Sequence, residues 1–182
     1  FDLVWLQDVD DMDEDSTTLI AKISKSLTIN KCTFQNNGEA LRNALLSSHS
    51  IVQKLCIGRR TDEFDSRNLQ DIFAHSKIKS YQLQNIDLAE REFEGLCSNK
   101  HVKMVRWNHE TSTSPHRFEW LLRLLDTNHI ESVHLEKWRP TTVLDLSEVM
   151  QIIGSQVAAN KTVTRLEIQN LQNDPSWQPI VG

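Results

Sequence analysis

Apolar residues recur along this chain in a fixed phrase. Numbering its positions from one, apolar side chains stand at 1, 4 and 6, and polar or glycine residues at 2, 7 and 8. Seven segments fit: Phe1/Val4/Leu6, Ile29/Cys32/Phe34, Val52/Leu55/Ile57, Ile78/Tyr81/Leu83, Val102/Val105/Trp107, Ile130/Val133/Leu135 and Val163/Leu166/Ile168. The fourth position falls at 4, 32, 55, 81, 105, 133 and 166, six intervals with a mean of 27 residues. An apolar-polar alternation of this length predicts a half-buried strand, and a strand recurring at a near-constant interval predicts a repeat architecture. Amphipathic helical patterns follow the first six strands, at about 14–28, 38–48, 65–76, 88–98, 114–128 and 145–160. The fifth carries Phe118, Leu121, Leu122 and Leu125 on one face, with Ser114-Pro115 as its start signal. The sixth carries Leu146, Val149, Met150, Ile153 and Val157, preceded by Asp145 and Glu148 at capping-box spacing.

Strand and helix in strict alternation imply parallel strands joined by right-handed crossovers. A unit of about 27 residues cannot bury its own core, so neighbouring units must stack, with a continuous sheet on one side and helices on the other. A doubly wound sheet is the competing arrangement. Its strands are covered on both faces and read as continuous apolar runs; these strands alternate, keeping one polar face. The expected fold class is therefore an α/β solenoid with a parallel concave sheet and convex helices, one array over residues 1–182, read as a fragment of a longer protein. Leu55, Leu83, Val105, Leu135 and Leu166 are its expected core, and Trp177, Ile180 and Val181 are expected to cover the last unit.

The phrases "VTRLEIQNLQ", "IESVHLEKWR", "IKSYQLQNID" and "INKCTFQNNG" resemble the leucine-rich repeat family, and helices of about three turns make the ribonuclease-inhibitor-like subgroup the nearest form. The resemblance covers the whole chain. It departs at the ninth position, where that family carries an Asn or Cys ladder and this chain has Val9, Asn37, Arg60, Ile86, Glu110, Trp138 and Leu171. Asn36, Asn85 and Asn170, one place earlier, are the candidate substitutes. The resemblance implies a non-enzymatic module for protein–protein recognition, binding on the concave face. The alternative is a regulatory or accessory domain of an enzyme, holding a small ligand near Gly58-Arg59-Arg60, or a ubiquitin-ligase substrate receptor.

Composition narrows this little. A net charge of -5 gives no general affinity for nucleic acid, and no apolar run is long enough to span a membrane. Three cysteines without a C-x-x-C pair argue against a disulfide framework or a zinc ribbon and favour a reducing, cytoplasmic setting. The run "DVDDMDEDS" (8–16) has six acids, but Asp13 and Leu19 stand where a calcium loop needs Gly and Glu. His101 and His129 fall in adjacent units without a carboxylate or thiolate to complete a metal site. His109 and His134 lie on the polar face, with no nucleophile beside them that sequence alone identifies. No cofactor is expected. Cys32 is read as core; Cys56, between two inward positions, is expected to face solvent and to be the reactive thiol.

Sorting charges by column yields the candidate surface. In units 2 to 5 the outward positions hold Lys31, Lys54, Arg59, Lys79, Lys103 and Arg106, with no acid. In units 1, 6 and 7 they hold Asp2, Asp8, Glu131, Glu136 and Glu167. A basic strip bordered by acidic ends predicts a partner protein with an acidic segment. Trp5, at an outward strand position, and Trp120 with Leu124, opposite the apolar face of the fifth helix, are expected as exposed apolar contacts. The thin cationic footprint argues against nucleic acid. Uncapped ends leave room for end-to-end self-association.

Overall fold

In a computed structural model, the chain is described over residues 1–58, 65–108, 117–137, 144 and 146–169. Among these residues seven strands alternate with six helices: β1 Leu3–Gln7, α1 Glu14–Ile23, β2 Ser26–Asn30, α2 Gln35–Leu46, β3 Lys54–Ile57, α3 Ser66–His75, β4 Ser80–Gln84, α4 Glu90–Ser98, β5 Met104–Asn108, α5 Arg117–Asp126, β6 Ser132–Glu136, α6 Leu146–Ala159 and β7 Arg165–Gln169. All strands are parallel and form one sheet in the order β1 to β7, with no reversal. Consecutive helices pack on one another, and the alternate residues of β2 to β6 that point toward them are buried.

Register shows how the units correspond. Val4, Leu27, Leu55, Tyr81, Val105, Val133 and Leu166 stand in line across the sheet. Six of the seven strands therefore sit where the phrase places them. The second does not: Leu27, not Cys32, holds its fourth position, five residues earlier. Its first position is Ser24, which is fully buried and donates through Oγ to the Ser26 carbonyl at 2.5 Å. A serine satisfied by its own backbone can replace the expected aliphatic there. Helix α1 consequently ends at Ile23, where the Ser24 N–H closes the last turn on the Ile20 carbonyl at 3.0 Å. Cys32 and Phe34 remain buried, but in the loop after β2.

Helix starts follow local chemistry. Asp13 accepts from the Ser16 N–H at 2.7 Å and Asp65 from the Arg67 N–H at 2.7 Å, each satisfying an orphan donor of a first turn. These bonds hold both carboxyls below the usual carboxylate range. In α4 the Glu92 carboxylate reaches back to the Ala89 N–H at 2.8 Å. It also accepts from the Ser66 hydroxyl at 2.5 Å, tying the starts of α3 and α4 together while fully buried. The start signals before α5 (Ser114-Pro115) and α6 (Asp145) lie outside the described residues, as does the segment of Trp177, Ile180 and Val181.

Of the expected core residues, Leu55, Leu83, Val105 and Leu135 are buried. Leu166 is only half-buried, because β7 has one neighbouring strand among the described residues; the same holds for Val4 and Leu6 in β1. The helix ends are joined by asparagine. Asn99 donates from its amide to the carbonyls of Phe73 (2.7 Å) and Ser76 (2.9 Å), while its oxygen accepts from the His101 N–H at 2.9 Å. Asn160 likewise donates to Leu125 and to Thr127 (3.2 Å) and accepts from Thr162 (2.6 Å) and Val163 (2.8 Å). The residue after a strand is left-handed at Asp8, Lys31, Asn85 and Lys137, with φ of 51–54°. No helix among the described residues is long and apolar enough to cross a membrane.

Candidate interaction surface

The sheet face away from the helices is built from the polar positions of each phrase. Its backbone ladder begins before the strands: Gln53, Lys79, Lys103, Glu131 and Thr164 each donate an N–H to the carbonyl of the equivalent residue one unit earlier, at 2.8–2.9 Å, and Lys25 donates to Phe1 at 3.2 Å. Side chains at like positions in adjacent units are thus held within about 5 Å along the sheet, and charges placed there meet.

They meet in pairs. Asp2 approaches Lys25 at 3.5 Å and Asp8 approaches Lys31 at 3.8 Å. Glu131 approaches Lys103 at 3.2 Å, and Glu136 accepts from Arg106 Nε at 2.7 Å. The acidic ends therefore neutralise the borders of the basic strip. Each such exposed pair is worth about 0–1 kcal/mol, but the consequence for a partner is larger: among the described residues, the middle of the strip is where its charge is uncompensated. Lys54 and Lys79 are exposed and have no carboxylate partner among the described residues. Arg59 lies outside the described residues. Lys31 is not a strand residue, as the shifted second register requires; it follows β2 in the left-handed conformation, with φ of 52°.

Of the two candidate tryptophans, the sheet places one and removes the other. Trp5 is 65% exposed on the open face of β1, beside Leu3 at 57%. Trp120 is buried, and so is Leu124. The Trp120 ring stacks on Phe93 at 4.7 Å and on Trp107 at 5.5 Å, and its Nε1 donates to Glu90 at 3.1 Å. Helix α5 packs one face on the sheet and a second on α4, so a residue opposite Phe118, Leu121 and Leu125 is still interior. There is no apolar spot at Trp120 and Leu124.

Cys56 also departs from expectation. It does point to the open face, paired between Thr28 and Gln82, yet it is 4% exposed. Burial pushes its thiol above the usual range, against a hydrogen bond with Thr28 that lowers it. Both the cover and the raised value disfavour it as the reactive cysteine. Gly58 packs closely on a side chain: a Cβ there would lie 2.5 Å from Asn30 Oδ1. Arg59 and Arg60, the cations of the small-ligand alternative, lie outside the described residues. The acidic run serves the fold, with Asp13 as a cap and Asp8 paired to Lys31. His129 is half-buried; burial, with Lys103 and Lys100 nearby, lowers its pKa, which keeps the ring neutral near pH 7. Among the described residues no group of three His, Cys, Asp or Glu side chains is arranged to hold a metal ion.

One constellation was not legible in the chain. His134 Nδ1 lies 2.8 Å from Glu167 Oε2, and its Nε2 lies 3.0 Å from Ser132 Oγ. Arg165 donates through Nε to Glu167 Oε1 at 2.6 Å. That bond foremost, with the His134 ring beside it, holds the Glu167 carboxyl below its ordinary value. The signal that finds this group is register: Ser132 and Arg165 share the third position of units 6 and 7, and His134 and Glu167 the fifth.

No protein-family model matches the chain, and no curated protein or solved structure resembles it significantly.

Proposed function

We propose that this chain is a recognition module, a divergent leucine-rich-repeat solenoid of the ribonuclease-inhibitor-like kind, that binds an acidic segment of a partner protein on the open face of its sheet. The unreversed strand order supports the solenoid reading, since a doubly wound sheet reverses its order part-way. The observation that carries the binding reading is the pair Lys54 and Lys79, exposed near the centre of an uncovered sheet face while the cations around them are matched by carboxylates. A partner acid docking there meets charge that the protein has not itself neutralised, and Trp5 with Leu3 offers an apolar anchor at one side. Such a contact contributes specificity and association rate as much as affinity.

The test is fluorescence anisotropy of a labelled Asp/Glu-rich peptide containing one aromatic residue, titrated with the wild type and with the K54E/K79E double variant. The expected result is binding that weakens at least tenfold in the variant, about 1.4 kcal/mol, with a shallower salt dependence. Unchanged binding in the variant removes the open-face cations from recognition.

A further inference from the structure

Ser132, His134, Glu167 and Arg165 lie on the same open face but far along the sheet from Lys54 and Trp5. Ser132 and His134 are two residues apart on β6, so both side chains leave the same side of the strand. Glu167 is directly opposite His134 on β7, and Arg165 directly opposite Ser132. The order of hydrogen bonds fixes the tautomer. An ionised carboxylate can only accept, so in the neutral ring Nδ1 carries the hydrogen and bonds to Glu167 at 2.8 Å. Nε2 is then left bare and accepts from the Ser132 hydroxyl at 3.0 Å. Hydroxyl, imidazole and carboxylate in that sequence and at those distances are the arrangement that turns a weak nucleophile into a reactive one.

We infer that Ser132 is a nucleophilic site that takes an acyl group from an activated ester, with His134 as its general base and Glu167 as the residue that orients the ring. Oγ bonds to the carbonyl carbon as its proton moves to His134 Nε2. The bond from that carbon to the leaving alkoxide then breaks, and the proton passes from Nε2 to the departing oxygen, so charge and atoms balance. Arg165, paired across from the serine, supplies a cation for the oxygen that becomes negative in the transition state. The cluster is sheltered: Ser132 is 7% exposed and the His134 side chain 13%, which keeps water from competing for the hydroxyl. The Arg165 side chain is 61% exposed and is held beside the cluster by its bond to Glu167.

The experiment uses two probes on the full 182-residue chain, a fluorophosphonate and 4-nitrophenyl acetate, at pH 7.5, with the adduct located by tandem mass spectrometry. The expected result is a stoichiometric adduct on Ser132, formed at least tenfold more slowly in H134Q and in E167Q, and none at that position in S132A. Circular dichroism of each variant confirms that it folds. Adducts confined to lysines or other residues, or labelling of Ser132 at the wild-type rate in both folded H134Q and E167Q, overturn the proposal. Acidic-peptide binding through Lys54 and Lys79 is independent of this cluster and remains intact in S132A, which separates this result from the recognition test.

Discussion

Helix α4 has two neighbours and meets them in opposite ways. Against α3 it comes backbone to backbone. A Cβ on Gly95 would stand 2.9 Å from the Gln70 carbonyl oxygen and 3.3 Å from the Ala74 nitrogen. Against α5 it is held off by rings. Phe93, Trp107 and Trp120 stack between the two helices and the sheet, Arg123 lies 4.9 Å from the Phe93 centroid, and the same arginine pairs with Glu90 and Glu94. The sheet imposes one spacing on its strands, but the helices need not share it. Where side chains are absent the helices close up, and where the spacing opens large aromatic rings fill the gap. Interiors are packed to crystal density, so a wider seam requires larger side chains, not a looser core.

The largest effect should come from removing the spacer. Trp120→Ala leaves a cavity between α4 and α5 and should cost about 3–5 kcal/mol in denaturant unfolding. It also gives a local readout. Cys97, on α4 at this seam, has a thiol pushed up to about 12, chiefly by burial, and should resist alkylation at pH 8 in the wild type. In the variant its alkylation should accelerate markedly. A stability loss below about 1 kcal/mol with unchanged Cys97 reactivity would show that the rings do not hold the seam.

The close seam should break the other way, by addition. Gly95→Ala forces a methyl against backbone atoms that cannot rotate away. Overpacking costs about 1–3 kcal/mol, from which about 1 kcal/mol of helix propensity is recovered. Calorimetry should show a lowered Tm, whereas a raised one would mean that α3 and α4 are free to separate.

The smallest effect is electrostatic and belongs to the start of α3. Asp65 is held below the usual carboxylate range by the Arg67 N–H and the Arg67 side chain. A depressed carboxyl adds stability at every pH above its unfolded value, near 3.9, and that stability is lost as pH falls through the lower folded value. Acid unfolding followed by circular dichroism should therefore show α3 weakening below about pH 4. In D65N, which retains a capping side chain without a titrating group, this part of the pH dependence should disappear with little change at neutral pH.

These seams also show what the sequence could and could not reveal. The strands were readable because every position alternates between a helix-facing and an open environment, so six of seven registers follow from apolar spacing alone. The second was misplaced because Ser24 satisfies itself by a local hydrogen bond, while Ile29, Cys32 and Phe34 imitate the phrase five residues too late. Trp120 was misread because a one-face helical pattern assumes one packed face, and α5 has two. Cys56 differs because strand alternation predicts direction, not cover, and its side chain is 4% exposed on the open face. The central cations of the surface were legible as Lys54 and Lys79, but their isolation was not. It depends on which carboxylates reach Lys31, Lys103 and Arg106, and that follows from register across strands about 30 residues apart.

The asparagines at the helix ends give the molecule a direction. Asn99, following α4, satisfies carbonyls at the end of α3, and Asn160, following α6, satisfies those at the end of α5. Each debt runs toward the N-terminus. If α6 peels away, α5 loses the donors that close its last turn; if α5 peels away first, Asn160 merely returns its amide to water. A chain pulled from its C-terminal end should therefore loosen α5 together with α6 and α3 together with α4, while the same force applied at the N-terminal end leaves the ends of α4 and α6 as they were.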